Sequence, residues 1–217
     1  MISGTFAVIA DGNRRWASKN GLPSSAGHLQ GALKLQPLCE WAIRKRLENL
    51  IVFAFSAHNW RRQKTEVDDL FSIAERYFSE HLGWYVQSDV NVTFVGRRDR
   101  LPPSMIRMMT QVEQETSGCY TLNLFVCVDY SGREEIMQAA RSMPETVEQM
   151  SDVIEYVLPT PDVIFRTGGR HRLSDFMLWQ AAFAEIEFSD TLFPDLDAGE
   201  LDAVYDRARA AVKNFGV

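Results

Sequence analysis

The hydrophobic positions of the chain fall into short unbroken runs that alternate with longer stretches of helical spacing. The short runs are rich in β-branched and aromatic residues, and they predict strands at residues 6–10, 50–56, 90–96, 121–128 and 163–166, with a possible short strand at 186–189. Runs without polar alternation suit strands that are covered on both faces. The alternation of strands with helices predicts the α/β class, with a central, mostly parallel sheet flanked by helices.

The stretches between the strands predict the helices and the domain organisation. Apolar residues recur at helical spacing over residues 31–46, 67–86, 103–115, 131–142, 173–184 and 201–215. Pro37 lies inside the first stretch and should start or kink a helix there. Residues 144–161 are acidic and contain one short amphipathic piece, which predicts a connector. Because no shift in composition marks a second unit, residues 1–217 are predicted to form a single domain.

Charge, hydropathy and cysteine content limit the binding partners and the cellular compartment that the sequence predicts. The net charge is −6, from 23 Lys and Arg against 29 Asp and Glu, which argues against a general nucleic-acid or anionic-membrane surface. No run of 18 apolar residues occurs, so no stable membrane anchor is expected. Cys39, Cys119 and Cys127 cannot all pair with one another, and a reduced cytoplasmic compartment is the default.

Polar clusters follow three of the apolar runs, at residues 11–15, 56–62 and 166–170. The ligand crevice of an open parallel sheet lies at the carboxyl ends of its strands, so the three clusters should converge on one site. Arginine guanidinium groups and the free backbone N–H groups at helix N-termini bind small polyanions, and a diphosphate is the obvious candidate. Asp11, placed among these arginines, suggests Mg²⁺, which bridges carboxylate and phosphate oxygens.

Each cluster also has an ordinary interpretation when it is taken alone. Asp11 and Gly12 could form a simple turn, and Arg61 with Arg62 could be a solvated helix start. The nucleotide motifs G-x-x-x-x-G-K-[ST] and G-x-G-x-x-G after a strand are absent, and the four histidines show no zinc-ligand spacing with the cysteines. The occurrence of three clusters at three strand ends outweighs these alternatives and favours a diphosphate site.

The motifs resemble those of the cis-prenyltransferases, of which undecaprenyl diphosphate synthase is the familiar member. The matching blocks are residues 11–17, 27–28, 55–56 with 59–60, 121–123, 130 with 132–133, 166–169, 171–174, 178–180, 184–185 and 193–195. They occur in the family's order over nearly the whole chain. The resemblance implies a homodimer with a central parallel sheet, a hydrophobic tunnel for a prenyl tail and two diphosphate sites at its mouth.

The resemblance also assigns roles to individual residues. Asp11 would bind Mg²⁺ and assist departure of the allylic diphosphate, and Glu185 would help to hold the metal, within its own chain or across the dimer. The residues that would hold the allylic diphosphate are Gly12, Asn13, Arg14, Arg15, His28 and Arg62. The residues that would hold the second diphosphate are Arg166, Arg172 and Ser174. Ser56 and Asn59 would lie beside the reacting carbons.

Trp16, Phe55, Trp60 and Phe176 could supply the apolar wall that excludes water, although core packing is the more common role of any one of them.

The departures from the family pattern bear on the substrates. His58 stands where the family usually has glutamate, and Ser24 in the allylic site stands where it usually has arginine. Further departures are Arg170 for glutamate, Asp129 and Asp175 for asparagine, and residues 213–216, which lack the usual arginine-x-glycine. The allylic site therefore lacks an arginine that would hold the diphosphate, and it has a histidine in place of an acidic side chain.

A small, divergent branch of the family performs irregular head-to-middle couplings, and this sequence resembles that branch. The resemblance implies a Mg²⁺-dependent condensation of two dimethylallyl diphosphates to a lavandulyl or cyclolavandulyl diphosphate. Because histidine titrates near neutral pH, His58 suits the required proton exchange. Two alternatives stay open: regular short-chain cis-prenyl elongation with isopentenyl diphosphate, and a non-catalytic accessory subunit. The presence together of Asp11, Arg166, Arg172 and Glu185 disfavours the accessory subunit.

Overall fold

A six-stranded parallel sheet organises the chain in the computed structural model, which describes residues 4–155 and 157–211. The strands are β1 (Thr5–Ile9), β2 (Asn49–Ser56), β3 (Val90–Val95), β4 (Leu122–Tyr130), β5 (Val163–Arg166) and β6 (Glu185–Phe188). Their order across the sheet is β3-β4-β2-β1-β5-β6, and every neighbouring pair is parallel. The α/β class and the predicted sheet are confirmed, including the short sixth strand.

Helices cover the sheet and connect its strands. They are α1 (Asn13–Lys19), α2 (Ser24–Leu33), α3 (Leu35–Lys45), α4 (Lys64–Gln87), α5 (Pro103–Thr116), α6 (Gly132–Ala140), α7 (Val147–Glu155) and α8 (Ala198–Ala210). The predicted helix over 31–46 is divided between α2 and α3, and Pro37 lies in the first turn of α3, where proline costs no hydrogen bond. The amphipathic piece of the predicted connector forms α7.

Two predicted helices need correction. Residues 173–184 form turns and a short 3₁₀ helix, Gln180–Phe183, because Ser174, Asp175 and Met177 adopt positive φ angles that interrupt a helix. The predicted helix over 201–215 starts earlier, at Ala198, where the Asp197 side chain accepts a hydrogen bond from the backbone N–H of Glu200. Its last residues and the departure at 213–216 lie outside the described residues.

The core lies on both faces of the sheet. Phe6 and Val8 of β1 belong to the larger apolar cluster on one face, and Ala7 and Ile9 belong to the cluster on the other. This burial explains why the strands read as unbroken apolar runs. Within the described part of the chain, no helix is long and apolar enough to span a bilayer.

The parallel register brings the strand ends to one edge. Ile9 of β1 pairs with Phe53 of β2 and with Arg166 of β5, so the polar segments that follow these strands converge as predicted. Gly12 turns the chain from β1 into α1 with φ 118°, and a Cβ there would lie 2.9 Å from a methyl carbon of Leu192. A glycine is therefore required at this turn.

Candidate active site

A cavity of about 620 Å³ opens at the carboxyl edge of the sheet, against α2 and α4. The polar side chains around its mouth are Asp11, Asn13, His28, Ser56, His58, Asn59, Arg62, Arg133, Arg166, Ser174 and Asp175. Its inner wall is apolar and includes Leu35, Leu70, Phe71, Tyr77, Phe78 and Met105. A ligand with an anionic head and a hydrocarbon tail matches both ends.

Asp11 lies between two guanidinium groups at the mouth. Its Oδ2 accepts from Arg166 Nη2 at 2.8 Å, and its Oδ1 accepts from Arg15 Nη2 at 3.0 Å. The Thr167 hydroxyl fixes the backbone by accepting from Asp11 N and donating to Asp11 O. Burial alone would raise the pKa of Asp11, but the two guanidinium groups outweigh it and hold the pKa below its ordinary value. The carboxylate is therefore ionised at neutral pH.

Arg166 connects the segments that meet at this edge. Its side chain is buried, and besides Asp11 its Nη1 contacts Ser174 Oγ at 2.7 Å and the Arg172 carbonyl at 2.5 Å. Its Nε is buried and has no hydrogen-bond partner among the described residues. Arg172 thus supplies its carbonyl to Arg166, while the residue itself is exposed. The predicted contact of the Arg172 side chain with a diphosphate stays a prediction.

Glu66 organises the cationic side of the mouth. Its carboxylate accepts from Arg62 at 2.9 Å and lies 3.5 Å from Arg14 and 3.4 Å from His28 Nε2. Burial lowers the pKa of His28, the charges of Arg62 and Arg14 lower it further, and Glu66 only partly opposes them. The His28 imidazole is therefore neutral at pH 7. Sequence reasoning missed Glu66, although its spacing of four residues after Arg62 was an available signal.

Close packing of α1 on α2 brings His28 to the mouth. A Cβ on Gly27 would lie 2.0 Å from the Asn13 carbonyl oxygen, so only glycine permits this approach. Asn13 Oδ1 is buried and has no hydrogen-bond partner in the described part of the chain. Asn13 and His28 both line the cavity, while Asn13 Oδ1 and His28 Nε2 themselves are buried.

The 3₁₀ turn Ala57–Arg61 carries the candidate catalytic residues of the second cluster. Ser56 Oγ accepts from His58 N at 3.0 Å, and Asn59 Oδ1 accepts from Ser56 N at 3.0 Å, which closes a capping box. Trp60 Nε1 donates to the buried Asp129 carboxylate at 2.9 Å. The His58 side chain is 53% exposed, and its Nδ1 lies 3.8 Å from Asp175 Oδ2. The turn is thus held rigidly beneath a histidine that faces the mouth.

The structure does not bring every predicted residue to the cavity. Trp16 donates its indole N–H to Asp195 at 2.7 Å, and Ser24 is exposed at the start of α2, so neither lines the cavity. The expected apolar wall needs the same correction at Phe176, which stacks on Phe53 in the core on the opposite face of the sheet. Phe55 does line the cavity.

Glu185 is separated from Asp11 within one chain. It begins β6 and pairs with Val163, whereas Phe188 pairs with Arg166 at the edge that carries Asp11. Three strand residues place Glu185 about 10 Å from that edge. This separation argues against a metal site shared by Asp11 and Glu185 of the same chain, and both that site and the version across a dimer stay predictions.

The donor set at the mouth fits Mg²⁺ only together with substrate oxygens. Among the described residues, no group of three His, Cys, Asp or Glu side chains could hold a metal ion. Mg²⁺ commonly takes one or two carboxylates and completes its shell with water and substrate phosphates. Asp11, ionised and partly exposed beside arginines, suits that mode.

Comparisons with known proteins agree with this geometry. Residues 9–216 match the family model described as "Putative undecaprenyl diphosphate synthase". An isoprenyl transferase of Aquifex pyrophilus is 38% identical over 97% of this chain and 94% of its own. The lavandulyl diphosphate synthase of Lavandula x intermedia, solved in complex with dimethylallyl diphosphate, superposes with a TM-score of 0.91 at 29% identity, covering 99% of this chain and 98% of its own. A probable undecaprenyl diphosphate synthase of Campylobacter jejuni superposes with a TM-score of 0.85 at 31% identity, covering 100% of this chain and 99% of its own.

The fold, the cavity with its cationic mouth and these relatives define a prenyltransferase of isoprenoid biosynthesis. The chain belongs to the cis-prenyltransferase family, that of undecaprenyl diphosphate synthase. Enzymes of this family generally depend on Mg²⁺.

Proposed function

We propose that this enzyme condenses two molecules of dimethylallyl diphosphate head to middle, with Mg²⁺, to a lavandulyl-type diphosphate. The observation that carries the proposal is the pairing of His58 with Asp175 at the mouth, 3.8 Å apart, where the family usually has glutamate and asparagine. The likeness to a lavandulyl diphosphate synthase solved with dimethylallyl diphosphate supports it.

The first step breaks the C1–O bond of one substrate, and the electron pair leaves with the diphosphate. Arg62 lines the cavity and gives one of the five N–H donors of its guanidinium to Glu66. Within the described part of the chain the other donors make no hydrogen bond to a side chain, so they can hold the departing oxygens. His28 and Asn13 lie beside it. Mg²⁺ bound by Asp11 and substrate oxygens would offset negative charge on the leaving group.

The second step joins the two substrates. The C2=C3 π electrons of the second dimethylallyl group form a bond to C1 of the allylic cation and leave a tertiary cation at C3. Loss of a proton from a methyl group next to C3 then forms the new double bond, so two substrates yield one C10 diphosphate, one diphosphate and one proton. The apolar inner wall excludes water, which would otherwise convert either cation to an alcohol.

His58 is the proposed acceptor of that proton. Its backbone N–H, and not its ring, is bonded to Ser56, so the turn is capped without using the imidazole. The ring lies at the mouth, where the cation end of the substrate must sit if the tail occupies the apolar wall. A neutral imidazole nitrogen can accept the proton at neutral pH.

Product analysis tests the proposal. The purified enzyme is incubated with Mg²⁺ and dimethylallyl diphosphate, alone and with isopentenyl diphosphate, and the products are dephosphorylated and identified by gas chromatography and mass spectrometry. A branched C10 alcohol from dimethylallyl diphosphate alone supports the proposal. Linear cis products that require isopentenyl diphosphate would establish regular elongation, and no product in either mixture would favour an accessory subunit.

We also propose a homodimer in which Glu185 of one chain serves the metal held by Asp11 of the other. The support is the separation of these two residues within one chain. Asp11→Ala and Glu185→Gln chains, each inactive alone, are unfolded together and refolded as a mixture. Mixed dimers contain one intact site, so activity should return to part of the wild-type level. An inactive mixture that contains mixed dimers would refute the shared site.

A further inference from the structure

The geometry points to Asp175 as the positioning residue that orients the His58 imidazole for proton transfer, an inference that rests on the proposed function. Asp175 Oδ2 lies 3.8 Å from His58 Nδ1, the two residues come from different segments of the chain, and both line the cavity. A carboxylate on Nδ1 favours the tautomer that carries its proton there and leaves Nε2 free to accept one.

Asp175 is itself held firmly. Its Oδ2 accepts from Ser131 Oγ at 2.6 Å, and its Oδ1 accepts from the backbone N–H of Arg133 at 3.2 Å. Its carbonyl accepts from Gly132 N at 2.8 Å, and its side chain is only 9% exposed. Contacts from the start of α6 therefore fix the carboxylate before substrate binds, as a positioning residue requires.

The exposed histidine is the mobile partner of this pair. A separation of 3.8 Å is longer than a hydrogen bond, but catalytic hydrogen bonds are often long before substrate binds and shorten in the complex. Because the carboxylate is fixed and the imidazole is half exposed, a small rotation of the His58 side chain is enough to close the gap.

The neighbouring Arg133 does not prevent Asp175 from orienting the His58 imidazole. Arg133 Nε lies 3.8 Å from Asp175 Oδ1, on the other carboxylate oxygen, and its side chain is 81% exposed. The contact of Arg133 is therefore weak and does not occupy Oδ2. The Ser131 hydroxyl donates to Oδ2 and leaves a lone pair for the imidazole N–H.

Asp175→Asn removes the charge with little other change. Asp175 has φ 70°, and asparagine tolerates this left-handed conformation. The amide oxygen can still accept from the Arg133 backbone, and the amide NH₂ can donate to Ser131. We expect kcat for the branched product to fall about 10- to 100-fold, while KM for dimethylallyl diphosphate changes less than about twofold. Asp206→Asn, an exposed carboxylate on α8, is the matched control and should retain wild-type kcat.

A double-mutant cycle and a spectroscopic measurement complete the test. In the His58→Gln background, Asp175→Asn should cause no further loss of kcat, because its effect acts through the imidazole. The ¹⁵N shifts of the free enzyme should show the Nδ1–H tautomer of His58 in the wild type and a shift towards Nε2–H in Asp175→Asn. Unchanged kcat and an unchanged tautomer would overturn the inference even if the wild type makes the branched product. If the wild type makes only regular products, the proposed function fails, and the tautomer still decides whether Asp175 orients His58.

Discussion

Replacing Asp11 by alanine should abolish turnover and also weaken the fold. The substitution removes the carboxylate that the site offers to Mg²⁺, and loss of a direct charge-stabilising group costs about 10²-fold or more in kcat. It also leaves Arg166, which is 5% exposed, with only the neutral oxygens of Ser174 and Arg172 as hydrogen-bond partners among the described residues. Activity and stability are thus expected to fall together.

The structure sets the size of the stability loss. A hydrogen bond to a charged group contributes about 1.5–3 kcal/mol, and Asp11 is partly exposed, so solvent screening places the cost near the lower end of that range. For a chain of 217 residues, each kcal/mol shifts Tm by roughly 2–4 °C, which predicts a decrease of about 3–6 °C. The protein should therefore still be folded at 25 °C.

Steady-state kinetics at saturating Mg²⁺ and thermal unfolding followed by circular dichroism measure the two effects. Asp99→Ala is the matched control, because Asp99 forms an exposed ion pair with Arg97 away from the cavity. Its kcat should be that of the wild type and its stability should change by less than about 0.5 kcal/mol. Near wild-type turnover of Asp11→Ala would refute the role of Asp11, and an unchanged Tm would refute the argument from Arg166.

Three further variants test separate parts of the site. Arg172→Ala should weaken binding of the second substrate by about 10- to 100-fold with less effect on the first, and titration of each substrate separately would show equal losses if the two sites are wrongly assigned. His58→Ala should change the product ratio or stop the reaction after ionisation while diphosphate binding is kept; an unchanged rate and product ratio would leave the histidine without a chemical role. The pKa of His28 in the folded protein lies below 6.5, so the unfolded state binds more protons between that pKa and about pH 7. The free energy of unfolding of the wild type should therefore decrease as the pH is lowered from about 7 towards the folded pKa. In His28→Gln, the free energy of unfolding measured with denaturant should decrease less over this pH range. The same dependence of that free energy on pH in both proteins would contradict the assignment.

The sheet could be predicted from the sequence because its strands are buried on both faces and therefore appear as unbroken apolar runs. Convergence of the polar clusters followed from the parallel arrangement alone. The segment 173–184 could not be predicted, because its helical spacing is overridden by turns whose residues are fixed from elsewhere. Ser131 holds Asp175 across 44 residues of chain, and Arg166 holds the Arg172 carbonyl.

Side-chain networks were the part of the site that the sequence left open. The pairing of His58 with Asp175 joins segments more than 100 residues apart, and periodicity carries no information about such contacts. The contact of Arg166 with Asp11 spans 155 residues. Positions of charged residues at strand ends predicted that Asp11, Arg62 and Arg166 meet at one cavity, but not which carboxylate each guanidinium would hold.

The most direct test of the irregular condensation uses dimethylallyl diphosphate with both methyl groups fully deuterated. With this substrate and Mg²⁺ alone, we expect a branched C10 product that has lost a methyl deuteron, because the tertiary cation must release a proton from a methyl carbon. The carbon skeleton, read by NMR after dephosphorylation, should show the new bond between C1 of one unit and C2 of the other. A linear product that forms only with isopentenyl diphosphate and keeps all six deuterons of the starter unit would contradict the proposed reaction.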